Sequence, residues 1–271
     1  IASWCLKYTL ESIEFVKSGS PQRYKEIVKK WSFDEEAETE KWKEIVENMH
    51  FPFDDELGIF VQQDGYLEKE IKTVDDLLPE ERPINQHWSW DRILRSCYIK
   101  QADVLQGLFI FENSYDLATI RRNFEFYEPR TVHESSLSSC IHSVIASRIR
   151  NPDKAYELYL RTSRLDLDDY NNEVREGLHI TSMAGTWMAI VIGFGGLRVK
   201  NDILIFNPLI PDNWKSYSFR VLFRGSIIEV NVSKNKIIFN NHSEKTVDLK
   251  VYDKNFKLAK HLETDIMNYN K

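Results

Sequence analysis

The stretch "SSCIHSVIASRIRNPDKAYELYLRTSRL", from Ser138 to Leu165, decides the fold class. Apolar residues recur at helical spacing on both sides of the tripeptide "NPD", which contains the helix breaker Pro152. A turn this short joins two helices only if they run antiparallel and pack side by side. The sequence therefore predicts helical hairpins as the building unit of the chain.

The same helical periodicity occupies most of the first three quarters of the chain, from "IASWCLKYTLESIEFVK" to "TSMAGTWMAIVIGF". Residues 50–83 are an exception, because Pro, Asp-Gly and acidic clusters indicate long loops there. Around Leu197 the period changes to the alternation of β-strands, as in "YSFRVLFRGSIIEVNVS". We predict a mainly α fold with a small antiparallel β module. The predicted domains are residues 1–205, helical, and 206–271, a β-sheet.

The bulk composition excludes several classes of protein. A net charge of −6 and a pI near 5.7 argue against nucleic acid or an acidic membrane surface as the main partner. Three widely spaced cysteines and the lack of a long apolar run predict a cytoplasmic protein with reduced thiols and no metal knuckle. The first helical pattern begins at Ile1 without Met or a cap, so we expect the downstream part of a longer polypeptide.

The stretch "YEPRTVHESSLSSCIHS", from Tyr127 to Ser143, crowds polar side chains at a predicted helix start. Two interpretations stay open. Ser135 or Ser136 can simply cap the helix, whose apolar stripe contains Leu137 and Ile141. Alternatively, the free N–H groups of the first turn and the two hydroxyls can hold an anion such as phosphate.

The stretch "EGLHITSMAGTW", from Glu176 to Trp187, repeats this pattern. His179 stands just before a second predicted helix start at Thr181 and Ser182, and Gly185 permits close approach of a ligand or a backbone. His179 is either a donor to an anion or a histidine with structural partners. Two such helix starts suggest convergence on one ligand.

Lys100 and Gln101 lie between two apolar helical stretches in "SWDRILRSCYIKQADVLQG". Their donors and acceptor match sugar hydroxyls, and neighbouring Trp residues offer stacking faces. A solvated surface kink explains them equally simply. The acidic run "LDLDDYNN" lacks the glycine and the terminal Glu of a calcium loop, so we assign it no metal.

Five segments in order resemble glycoside hydrolase family 65, in the branch that acts on maltose. They are "GIFVQQDGY", "RPINQHWSWDRILRSCYIKQADVL", "FYEPRTVHESSLS", "RLDLDDYNN" and "GLHITSMAGTW". The resemblance covers most of the chain and fades beyond about residue 240. It implies part of an (α/α)₆ barrel followed by a C-terminal antiparallel β-domain.

The resemblance also implies a reaction, the phosphorolysis of maltose with inversion to β-glucose 1-phosphate and glucose. It assigns the transferred glucosyl unit to Lys100 and Gln101, and phosphate to Ser135, Ser136 and His179, with a possible backbone N–H from Gly185. Glu134 is then expected to point away from the phosphate, since a carboxylate would repel it.

The family's general acid, a Glu, is expected upstream of residue 1, so no catalytic residue is assigned in this chain. The implied partners are the disaccharide, phosphate, the rest of the polypeptide and a second copy in a homodimer, without an organic cofactor. Three alternatives stay open: a phosphorylase for kojibiose, nigerose or trehalose, a hydrolase of the family, and a non-catalytic carbohydrate-binding fragment.

Overall fold

The computed structural model of the chain describes residues 1–101 and 103–267. It contains two compact units, Ile1–Phe53 and a larger one that begins at Asp54. No helix of the described residues has the length and apolar character needed to cross a membrane. The predicted β-sheet domain ends in residues 268–271, which lie outside the described residues.

The first unit consists of three helices, α1 (Ala2–Gly19), α2 (Pro21–Trp31) and α3 (Glu35–Glu47). Helix α3 begins where the Asp34 carboxylate accepts the N–H of Ala37 at 3.1 Å, a standard N-cap. The side chain of Glu35 accepts hydrogen bonds from Lys17 and Tyr24, which ties α3 to α1 and α2. No residue of these three helices is fully buried.

The second unit begins with loops and short helices, as predicted for residues 50–83. The two-residue strands β1 (Phe53–Asp54) and β2 (Ile59–Phe60) are followed by single 3₁₀ turns and by α4 (Ile84–His87) and α5 (Trp90–Arg95). The remaining helices are α6 (Asp103–Ile110), α7 (Leu117–Tyr127), α8 (Ser138–Arg148), α9 (Pro152–Ser163), the short α10 (Leu165–Asp168) and α11 (Ile180–Met188), which continues as a π-helix over Ala189–Phe194.

Helix α8 lies at the centre of this helical part. It packs against α6, α7, α9 and α11, and every residue from Ser138 to Ser147 is buried. Three of its buried serines fit because their hydroxyls contact neighbouring elements: Ser138 and Ser139 contact His133, and Ser143 Oγ donates to the Ala155 carbonyl at 2.8 Å. The antiparallel hairpin predicted for Ser138 to Leu165 is present as α8 and α9. Leu137 was predicted to face the core, but it precedes the helix and is exposed.

Helix α11 approaches α8 closely because residue 185 is glycine. A Cβ at Gly185 would lie 2.7 Å from the Cβ of Cys140 and 3.3 Å from the Thr162 side chain. We predict that Gly185→Ala lowers the free energy of unfolding by about 1–3 kcal/mol, because the two helices must move apart. Urea denaturation followed by circular dichroism measures this change.

Gly107 provides the matched control for that prediction. It lies inside α6, and a Cβ there would meet nothing within 4 Å. Gly107→Ala is therefore expected to stabilise the chain by up to about 1 kcal/mol through helix propensity. Equal effects of the two substitutions would contradict the packing role of Gly185.

The C-terminal part is a sandwich of two four-stranded sheets. One sheet has the order β3-β4-β8-β9 and the other β10-β7-β6-β5. Phe206 and Phe239, one from each sheet, meet in the shared core with ring centroids 5.0 Å apart. The strands are β3 (Arg198–Lys200), β4 (Ile203–Phe206), β5 (Ser216–Phe223), β6 (Ser226–Ser233), β7 (Lys236–Asn241), β8 (Val247–Val251), β9 (Lys254–Leu258) and β10 (His261–Asp265).

Two details of the sandwich differ from the expectation. The β-domain begins at Arg198, because β3 (Arg198–Lys200) already pairs with β4 (Ile203–Phe206). The expected domain boundary at 205/206 therefore falls inside β4. The pairing of β4 with β8 is parallel, whereas the other strand pairs of the sandwich are antiparallel in the described residues. The predicted fold class, helices followed by an antiparallel-rich β-domain, is confirmed.

Candidate functional site

The loop that carries Lys100 and Gln101 is fixed beside the segment that leads into α8. Ile99 forms a parallel bridge with Thr131, in which its N–H donates to the Arg130 carbonyl at 2.9 Å and its carbonyl accepts the Val132 N–H at 3.0 Å. The break between α5 and α6 therefore lies next to residues 131–136. Lys100 and Gln101 are both exposed there.

Gln101 contacts one of the two predicted phosphate-binding serines. Its Nε2 donates to the Ser135 Oγ at 3.2 Å, and the same oxygen accepts the N–H of Leu137 at 3.2 Å. The predicted sugar-binding loop thus meets, at Ser135, the turn that contains Ser135 and Ser136, which we call the serine turn. Lys100 follows the bridge residue Ile99 and lies in the same exposed loop.

The alternative that Ser135 or Ser136 caps α8 is wrong. The helix begins at Ser138, its N-cap position is Leu137, and no side chain caps it. Ser135 Oγ accepts the N–H of Leu137 and a hydrogen bond from Gln101, whereas the partner of Ser136 comes from a distant part of the chain. Ser136 Oγ lies 2.7 Å from Thr181 Oγ1, in the first turn of α11.

This contact joins the beginnings of α8 and α11, the two helix starts that the sequence singled out. Both hydroxyls are neutral, and either oxygen can be the donor. One region therefore contains the first-turn N–H groups of the two helices and the side-chain hydroxyls of Ser135, Ser136 and Thr181. Such an arrangement is suited to an anion.

His179 is the N-cap residue of α11 and is held by a carboxylate. Its Nδ1 lies 2.6 Å from Asp166 Oδ1, and its backbone N–H donates to Asp166 Oδ2 at 2.9 Å. These hydrogen bonds lower the pKa of Asp166, so the carboxylate stays ionised and favours the tautomer with the proton on Nδ1. Nε2 then points elsewhere, and Glu173 Oε2 lies 3.8 Å from it.

The acidic run that contains Asp166 has structural partners. Asp168 pairs with Arg164 at 2.6 Å, and Asp169 Oδ1 accepts the N–H groups of Glu173 and Val174. These carboxylates fix the loop between α9 and α11. Asp166 thus positions His179, and the other two acids hold the loop that precedes it.

Glu134 turns away from the hydroxyls, as expected. Its Oε2 accepts the N–H of Ile84 at 2.9 Å, at the start of α4, and Oε1 lies 3.8 Å from Arg82 Nε. The side chain is 2% exposed, and burial raises its pKa. A negative charge is thus kept off the serine side of the turn.

Gly185 lies within α11, where its role in the structure is the close approach to Cys140. The expectation of a ligand-binding N–H at this position stays a prediction. The nearby Thr181, which the sequence suggested only as a helix start, has the more direct place beside Ser136.

Sequence reasoning missed a buried cluster behind the serine turn. Glu128 Oε2 lies 3.1 Å from His133 Nε2 and accepts a hydrogen bond from His142 Nδ1, and Lys154 Nζ lies 3.4 Å from Oε1. Burial alone would raise the pKa of Glu128, but the two histidines together hold it well below its usual value. Burial lowers the pKa of His133 to about 4.

The cluster fixes the turn that precedes Glu134. His133 has a left-handed backbone (φ 55°), and its Nδ1 contacts the hydroxyls of Ser138 and Ser139 at 2.9 and 3.3 Å. It therefore links the end of α7 to the start of α8. The spacing of Glu128 and His133 across Pro129 was the available signal, but their contact depends on the tertiary fold.

The ligand atoms of Glu128, His133 and His142 lie within 4.8 Å of one another, a donor set that divalent metals accept. The fit is poor, however, because the ammonium of Lys154 already pairs with this carboxylate and would repel a cation. The geometry favours a hydrogen-bonded network.

Family models match both parts of the chain. Residues 1–188 match the glycosyl hydrolase family 65 central catalytic domain, and residues 197–258 match the family's C-terminal domain. The second match begins one residue before β3. The helices are accordingly the part of an (α/α)₆ barrel that was expected.

Relatives with named activities are similar over nearly the whole chain. A maltose phosphorylase of Bacillus subtilis (strain 168) is 49% identical over 93% of this chain and 32% of its own length. An α,α-trehalose phosphorylase of Thermoanaerobacter brockii is 37% identical, over 96% and 34%. A structure titled as a putative kojibiose phosphorylase from the human microbiome superposes with a TM-score of 0.88 at 38% identity, over 97% and 36%. The chain thus spans about a third of the length of these proteins.

Proposed function

The chain belongs to glycosyl hydrolase family 65, and on that premise we propose that it is the C-terminal part of an inverting disaccharide phosphorylase that acts on maltose. The higher identity to the maltose phosphorylase, 49% against 37% for the trehalose phosphorylase, supports maltose as the substrate. Inorganic phosphate is the proposed nucleophile, without an organic cofactor. The family resemblance also carries the expectations of a homodimer and a cytoplasmic location.

The observation that carries the proposal is the 2.7 Å contact between Ser136 and Thr181. An inverting hydrolase needs a general base that activates water on the face opposite the leaving group. Phosphate is already an anion at neutral pH, so it needs positioning and no base. Hydroxyls and helix N–H groups can hold it without repulsion, whereas a carboxylate would repel it.

The orientation of Glu134 supports a phosphorylase over a hydrolase. It is the acidic residue adjacent to the two serines, and its carboxylate is hydrogen-bonded to the Ile84 N–H at the start of α4. We propose that Ser135, Ser136 and His179 bind phosphate, with Thr181 as a further hydroxyl. Lys100 and Gln101 would bind the glucosyl unit, and the contact of Gln101 with Ser135 would place that unit next to the phosphate.

The general acid is proposed to lie on residues upstream of Ile1. We therefore predict that the 271-residue chain alone releases no glucose 1-phosphate from maltose. Joined to the upstream two thirds of the Bacillus subtilis maltose phosphorylase, it is expected to release glucose 1-phosphate from maltose only when phosphate is present. The measurement is product release from maltose, kojibiose, nigerose and trehalose, with and without phosphate.

Each outcome of this assay has a defined meaning. Glucose 1-phosphate from the chain alone would contradict the upstream acid. Glucose release without phosphate would identify a hydrolase, and sugar binding without turnover would identify a carbohydrate-binding fragment. The upstream part of the trehalose phosphorylase serves as a second host, and a preference for maltose there would show that this chain sets the linkage preference.

A further inference from the structure

A cleft of about 530 Å³ is lined in part by Glu134, the residue that precedes the two serines. Its described lining comes from the loop at residues 74–83, from Glu134, from Arg161 at the end of α9 and from Tyr170, Asn171 and Asn172. Its volume is in the range of sites for small organic ligands. Nothing in the proposed phosphate chemistry uses this cleft.

Two buried side chains of the cleft have polar atoms without hydrogen bonds. Asn171 and Glu134 are each 2% exposed; Asn171 Nδ2 has no hydrogen-bond partner, and Glu134 Oε1 has only Arg82 Nε near it, at 3.8 Å, beyond hydrogen-bond distance. A buried unpaired polar atom costs about 1–3 kcal/mol, so it needs an explanation. One atom is a donor and the other an acceptor, and a ligand with hydroxyl groups satisfies both.

The charges around the cleft favour a neutral ligand. Arg82 and Arg161 contribute two positive charges, and Glu134 and Asp75 contribute two negative ones, so the formal charges of the lining cancel. The guanidinium of Arg161 lies 5.2 Å from the ring centroid of Tyr170, and its Nη2 donates to the His133 carbonyl at 3.1 Å. The cleft thus combines an aromatic ring, donors and an acceptor without net charge.

These features are those of a site for sugar hydroxyls. We propose that the cleft binds a neutral sugar ring, with Asn171 Nδ2 donating to one hydroxyl and Glu134 Oε1 accepting from another. It is a carbohydrate site separate from the one formed by Lys100, Gln101 and the serines. The inference stands on the cleft alone and does not require that the chain perform phosphorolysis.

The test is a titration of the isotope-labelled 271-residue chain with glucose and maltose, followed by backbone amide shifts in the NMR spectrum. Sugar is expected to shift the signals of residues 170–172 and of Ile84. Asn171→Leu, which removes the unpaired amide at similar volume, is expected to weaken binding at least about 10-fold, the value of one hydrogen bond. Asn113→Leu, an exposed asparagine outside the cleft lining, is the matched control and should leave the affinity unchanged.

A second variant distinguishes a loss of sugar binding from a folding defect in Asn171→Leu. Glu134→Gln keeps an oxygen for the Ile84 N–H and is also expected to weaken sugar binding. The double substitution Ser135→Ala and Ser136→Ala should leave the shifts of residues 170–172 in place, which separates this inference from the proposed function. Three results would each overturn the inference. The first is a sugar affinity that is unchanged in Asn171→Leu and Glu134→Gln. The others are loss of the residue 170–172 shifts in the serine variant, and shifts caused by phosphate but not by sugar.

Discussion

Replacing Glu128 by alanine is expected to lower the free energy of unfolding by about 2–6 kcal/mol, because His133 and His142 lose their shared acceptor and each buried unpaired group costs about 1–3 kcal/mol. The substitution leaves His133, His142 and the Lys154 ammonium around a vacated carboxylate position. Glu157→Ala is the matched control. Glu157 pairs with the same Lys154 at 2.9 Å, but its side chain is 64% exposed, so less than about 0.5 kcal/mol is expected. Urea denaturation of both variants measures the difference.

The same network makes stability depend on pH with a definite sign. The folded pKa of His133 is about 4, below its unfolded value of 6.5, so the unfolded chain binds the proton first. Stability is therefore full above pH 6.5 and falls by about 3 kcal/mol as the pH drops to 4. The pKa of Glu128 is also depressed, so its contribution is lost on further acidification. His133→Asn, which tolerates the left-handed backbone, should flatten the profile between pH 6.5 and 4. A wild-type stability that is constant over that interval would exclude this account.

The second large effect is expected at the serine turn. In the chimera with the upstream part of the Bacillus subtilis enzyme, Ser135→Ala combined with Ser136→Ala should raise the KM for phosphate at least about 100-fold. This corresponds to the loss of two hydrogen bonds to a charged group, each worth about 1.5–3 kcal/mol. The KM for maltose should change only a few-fold. Initial rates at varied phosphate and at varied maltose separate the two constants.

A matched double variant controls for the loss of two hydroxyls. Ser12 and Ser18 lie on α1, the first half-buried and the second exposed, and both donate to carbonyls of their own helix. Their replacement by alanine should leave both constants unchanged. If the Ser135 and Ser136 variant lowered only thermal stability and left the phosphate constant intact, these serines would have a structural role alone.

Much of the fold was predictable because it depends on local patterns. The hairpin of α8 and α9 follows from two helical periods and the turn at Pro152, and the strands after Leu197 follow from their alternation. Their division into two sheets was not predicted. The parallel pairing of β4 with β8 was not predictable, since no local pattern records the partner of a strand. The prediction that Leu137 belongs to the apolar stripe of α8 was wrong, because the helix begins one residue later, at Ser138.

For the candidate site, the sequence indicated residues that the structure brings together, but few of their contacts. The two helix starts were found from their hydroxyls, and the structure brings Ser136 and Thr181 together. The capping alternative was wrong because α8 begins only at Ser138, with Leu137 at its N-cap position and no side-chain cap. Glu128 and His142 were overlooked, since a buried charge network becomes visible only when α7 and α8 pack.

The parallel pair of β4 and β8 has a consequence for biosynthesis. During synthesis the chain leaves the ribosome from its N-terminus, so β4 can first pair only with β3. The other edge of β4 stays unpaired until β8 has been synthesised. A chain that ends between β4 and β8 would expose this unpaired edge of β4, which could pair with other copies of the chain and cause aggregation. Premature termination before Val247 should thus yield inclusion bodies, while loss of β10, an outer strand, should be better tolerated.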